Sequence, residues 1–259
     1  MSRIKKSFDI FSRQGIKFLL LELIIVFLGV YLAFLFQNYT AKQHIESEQN
    51  KVLIGLKADL EYFRLFFPGF STNAERLVQN WNEVYSNDGH ENFSNWRFIQ
   101  PQYNYTAIEY ALNVDANIVD YELNSSVAEV YQELLKLRHA EQLITEIAMS
   151  YQSLPKGTIS QEQRALINAH NLQKFRLFID RSVDRHRILR RIAEISDKIM
   201  PVINDRFDPD ELKSIELELI AKQFSISNSR QIDDYLPLLL QYFPTLSEDE
   251  IRSALTSQE

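Results

Sequence analysis

Cysteine is absent from the 259 residues, which excludes disulfides, thiolate metal sites and cysteine nucleophiles. The redox compartment stays open, because a cysteine-free chain survives in either environment. Only 6 Gly and 7 Pro occur, too few for the many turns of an all-β fold, and too few glycines for a phosphate loop. Basic residues do not predominate: the net charge is −7. The attraction to phosphate that drives nucleic-acid binding is therefore missing, and no nucleic-acid partner is expected. The histidines are His44, His90, His139, His170 and His186; no two lie four apart, and none follows an acid by three residues. A metal site in a helical bundle needs such spacing, so no metal and no other cofactor is expected. Ser153 and Lys156 have a Ser-x-x-Lys spacing, but at a helix end and without accompanying motifs, so they read as a turn. No catalytic residue is assigned, and the chain is not expected to be an enzyme.

One long apolar run is present. Phe18 to Phe36 reads FLLLELIIVFLGVYLAFLF, and nineteen residues at about 1.5 Å each cover roughly 28 Å, close to the hydrocarbon thickness of a bilayer. The run is too long for a typical cleaved signal and lacks a small-residue cleavage pattern, so an uncleaved signal anchor is expected. Arg3, Lys5, Lys6, Arg13 and Lys17 precede it against a single acid, Asp9, whereas the flank beyond is mixed. Positive residues stay inside, which predicts a cytoplasmic segment 1–17, too short for an output enzyme, and an outer domain; in a Gram-negative cell that domain is periplasmic. Within the span, Glu22 reads either as a group that pairs with a partner subunit or as an interfacial acid near Lys17. Gly29 and Ala33 form a small-residue ridge that lets two membrane helices approach closely.

Beyond the span, Val52, Leu56, Leu60, Phe63 and Phe67 recur at helical spacing, with Gly55 as the weak point. A stalk and first bundle helix over 37–67 is expected, ended by Pro68-Gly69. Capping-box patterns then mark helix starts at Thr72 with Glu75, Thr106 with Glu109, Ser160 with Gln163, Asp208-Pro209 with Glu211, and Ser247 with Glu250. Apolar spacing predicts a further helix from Val127 to Tyr151, ended by Leu154-Pro155-Lys156-Gly157, and the helix opened at Ser160 is expected to stop at Pro201. These two should pack as an antiparallel hairpin against the membrane-proximal helix. The expected fold is all-α: a transmembrane helix at 18–36, a bundle over 68–200 and a C-terminal helical subdomain over 201–259. The aromatic stretch from Ser86 to Tyr105, with Phe93, Trp96, Phe98 and Tyr103, either presents a contact surface or caps the end of the bundle.

Glu22, Gly29, Ala33, Asn38 and Tyr39, followed by Leu56-Lys57-Ala58-Asp59-Leu60, resemble a widespread family of uncharacterised bacterial single-span membrane proteins. The resemblance covers about residues 15 to 65, departs at Gln37 and at Tyr39, where the family often has Asn and Trp, and implies a membrane-anchored helical protein without catalytic residues. Arg181, Arg185, Arg187 and Arg191, with Arg190, are the strongest charge feature, either a site for an anion or acidic partner or a solvated helix face. The expected function is that of a non-catalytic accessory, scaffold or interaction subunit of the bacterial inner membrane. Its expected partners are the lipid bilayer and either another membrane protein or a second copy. A periplasmic ligand sensor signalling through a partner is the alternative.

Overall fold

The computed structural model describes residues 13–95, 105–114, 119–157, 159–224 and 229–256. The basic flank at Arg3, Lys5 and Lys6, with Asp9, lies outside them, as do Trp96, Phe98 and Tyr103. The fold is all-α, with seven α-helices among the described residues: α1 (Arg13–Ser86), α2 (Thr106–Asn113), α3 (Tyr121–Met149), α4 (Gln161–Asn204), α5 (Pro209–Gln223), α6 (Ser229–Tyr242) and α7 (Glu248–Thr256). The chain divides into two compact units, Met1–Asn50 and Lys51–Glu259. In the first, Phe18 to Phe36 is helical and exposed at every position, and it is long and apolar enough to cross a membrane.

In the second unit α1 does not end at Pro68-Gly69, and Thr72 with Glu75 opens no new helix; the Thr72 hydroxyl donates back to the Pro68 carbonyl at 3.0 Å inside one continuous helix. The reason lies in the buried stripe. Val52, Leu56, Leu60, Phe63 and Phe67 continue in the same register as Ser71, Ala74, Val78 and Trp81, all buried, while Pro68 and Gly69 face solvent. A proline on the exposed face costs its helix one hydrogen bond, about 3 kcal/mol, and leaves the buried face intact. The same holds for α4, which runs through Pro201 to Asn204 because Met200 and Ile203 are fully buried on its other side.

α3 starts at Tyr121, where the Asp120 carboxylate accepts the Leu123 N–H at 3.0 Å, and it stops at Met149, five residues before Leu154-Pro155. Ser160 and Gln163 form the complete capping box expected of them. The connection between α3 and α4 is pinned by buried Asn171, whose amide both donates to the Gln152 carbonyl (2.9 Å) and accepts its N–H (3.0 Å). α3 and α4 pack as an antiparallel hairpin against α1, sharing a core that includes Leu56, Phe63, Leu134, Leu137, Ile192 and Ile199. A second core of Phe93, Trp81, Ile144, Phe175 and Phe178 closes the tip of that hairpin, with Phe93 stacked on both phenylalanines at 5.8 and 5.4 Å. Phe93 therefore caps the bundle. A third core joins α5, α6 and α7 through Ile220, Leu236, Leu239, Phe243 and Ile251. α6, with Pro237 on its exposed face, has no counterpart among the predicted elements.

Candidate functional site

The arginines of α4 do not share one face. Arg185 is 2% exposed and donates from Nε to Glu141 of α3 at 2.9 Å, so it is a buried tie between the two helices rather than part of a surface. Burial pushes the Glu141 carboxyl above its usual range, against the pull of Arg185. Arg191 pairs with Glu129 of α3 at 2.6 Å. Arg181 and Arg187 do come together, in a cleft of about 410 Å³ between α3 and α4. Its floor includes Ala140, Leu143 and Ile188, and Lys136 and His139 add to the basic rim. The two acids in the cleft are each engaged: Glu133 with Lys136 at 2.7 Å, and Asp184 with Arg181 at 2.8 Å. Arg187 and His139 make no hydrogen bond or ion pair among the described residues. The cleft thus offers an apolar floor and two uncommitted nitrogen-bearing groups, a combination suited to a carboxylate on an amphipathic surface.

In the apolar segment Glu22, Gly29 and Ala33 are all exposed, and a Cβ added at Gly29 would meet nothing within 4 Å.

A cluster of buried charges was not anticipated from the sequence. Lys57 of α1 is 0% exposed, and its three donors find three acceptors: Asn204 Oδ1 of α4 at 2.7 Å, Glu216 Oε1 of α5 at 3.0 Å and Glu61 Oε1 at 3.4 Å. The Thr245 hydroxyl occupies the second oxygen of Glu216. Glu61 is raised by burial, opposed by Arg64 and Lys57. Arg64 lies with Nε 3.1 Å from Glu61 Oε2, a close ion pair without hydrogen-bond alignment. It donates from Nη2 to the Tyr242 carbonyl at 2.7 Å and stacks over that ring at 4.6 Å. The two cations face the buried carboxylates Glu61 and Glu216, with the exposed Asp197 of α4 3.7 Å from Arg64, so the cluster ties α4, α5 and α6 to α1. Lys57 and Asp59 belong to the Leu-Lys-x-Asp-Leu run, but nothing local signals burial: Glu216 lies 159 residues further on. No group of three or more metal-ligating side chains is assembled among the described residues.

No family model, no curated protein and no solved structure matches this chain.

Proposed function

We propose that this is a single-pass membrane protein that acts as a non-catalytic accessory, scaffold or interaction subunit. The observation that carries the reading is the segment Phe18 to Phe36, apolar apart from Glu22 and exposed on every side. That much apolar surface needs a lipid environment to cover it. In this reading the N-terminus is cytoplasmic and the second unit lies in the periplasm of a bacterial inner membrane. Glu22, Gly29 and Ala33 meet the span of a partner protein or a second copy. The cleft rimmed by Lys136, His139, Arg181 and Arg187 takes an acidic segment of the partner.

Photoreactive residues placed at positions 29, 33 and 187, activated in native membranes and followed by mass spectrometry, test it. Adducts with one recurrent protein, or with a second copy, are expected at the span and at the cleft. Recovery of lipid adducts alone would remove the basis for an interaction role. A reporter fused to the C-terminus is expected to be active in the periplasm, and activity in the cytoplasm reverses the orientation.

A further inference from the structure

At the cap position of the short helix α2, Tyr105 makes no side-chain capping bond, and the Glu109 carboxylate accepts a hydrogen bond from the Tyr131 hydroxyl of α3 at 2.9 Å. The Asp59 carboxylate of α1 lies near the backbone N–H groups of Ala107 and Ile108, the second and third residues of α2, which pull against the effect of its burial; this is the place of an N-cap side chain, approached from another helix. One turn earlier on α1, Gly55 lets the helices touch: a Cβ there would stand 3.0 Å from the Ala107 Cβ. Asp59 is half-buried, and its Oδ2 has no hydrogen-bond partner among the described residues.

We propose that Gly55 and Asp59 form a proton-sensitive latch that holds α2 against α1. Among the described residues, the titratable and charged groups around the joint include Lys57, Glu61 and Tyr62 on α1, Tyr105 and Glu109 at α2, and Tyr131 and Arg138 on α3. The charged ones are engaged elsewhere: Lys57 and Glu61 with one another, Glu109 with Tyr131, and Arg138 with the Tyr105 hydroxyl at 3.2 Å. Burial is the largest influence on Asp59 and pushes its carboxyl up to about 7, opposed by the two N–H groups. Lifting α2 returns Asp59 to water and to its ordinary value of 3.8. Between these values the docked form holds a proton that the open form releases. Opening therefore becomes easier as pH rises, by up to about tenfold per unit, and levels off above about pH 7.

Hydrogen exchange of the full chain in detergent micelles, read in peptides covering 105–114 from pH 5 to 8.5 and corrected for intrinsic rates, measures this opening. The wild type is expected to lose protection with rising pH up to about pH 7 and then level off, while peptides of α7 stay level. D59N is expected to flatten the dependence. G55A is expected to open α2 severalfold more at every pH with the slope retained. A flat wild-type profile, or an undiminished slope in D59N, overturns the latch. Should D59N fail to fold, the carbon chemical shift of the Asp59 carboxyl in the wild-type protein decides: a midpoint near 7 supports the latch and one near 4 sinks it.

Discussion

Lys57, Glu61 and Arg64 sit at successive turns of α1 and are buried together with Glu216, so each charge is stabilised only while its neighbours remain. Replacing Lys57 by Met leaves buried Glu216 without its cation and Glu61 with Arg64 alone, and is expected to cost about 3–5 kcal/mol in urea unfolding. Replacing Glu216 by Gln in the same background should recover part of that loss. Arg185→Ala strips Glu141 in the same way and is expected to cost a similar amount, whereas Arg190→Ala, at an exposed pair with Glu194, should change stability by less than about 1 kcal/mol. The sequence separates these cases poorly. Arg181 to Arg191 alternate charge and polarity in a way that fits a solvated face, and only the register of α3 against α4 selects Arg185 for the interior. Lys57 is still less legible, because its acceptors come from helices far along the chain. Asp59 is legible in type, as a residue suited to capping, but the helix it caps is remote from it in sequence.

Among the elements, the helix starts at Ser160 and Ser247 are legible because their signal is local: Ser160 exchanges both bonds with Gln163, while at Ser247 half the box forms, the Glu250 carboxylate taking the Ser247 N–H at 2.9 Å and its hydroxyl at 2.8 Å. The stops expected at Pro68 and Pro201 do not occur. Pro68, Pro201 and Pro237 all lie inside helices on exposed faces. Their cost is outweighed by what the opposite face buries, about 1.5–3 kcal/mol for each large apolar side chain such as Val78 or Ile203. The stripe that continues through Ser71, Ala74, Val78 and Trp81 is hard to read in the sequence, because Ser71 and Ala74 are weakly apolar and stand beside a strong Pro-Gly signal. Pro68→Ala restores a donor to α1 and is expected to raise stability by about 1–3 kcal/mol, seen as a higher Tm. A drop would mean that the Pro68 ring is needed for packing.

For the whole molecule, two groups of carboxylates act in opposite directions. Lys213 and Ser247 hold Glu250 at about 2, and the Leu123 N–H lowers Asp120, so their contributions are lost as pH falls below the ordinary carboxylate range. Asp59, Glu61 and Glu141 are raised by burial, and the folded state loses stability as pH rises through their values, with Asp59 the furthest at about 7. The highest Tm is therefore expected in the mildly acidic range, and a maximum above pH 8 would contradict this balance. The membrane reading carries its own test: Leu28→Arg puts a charge near the centre of the apolar helix, an insertion cost of about 2.5–3.5 kcal/mol, and should shift protein from the carbonate-resistant pellet to the supernatant. A last consequence follows from the internal prolines. A proline supplies no N–H, so the carbonyls of Arg64 and Asp197, four residues before Pro68 and Pro201, have no α-helical donor. Both residues line one cleft of about 310 Å³, together with Tyr242. A carbonyl that loses its helical donor turns to water or to a side chain, so the hydration of this cleft belongs with the packing of α1 and α4.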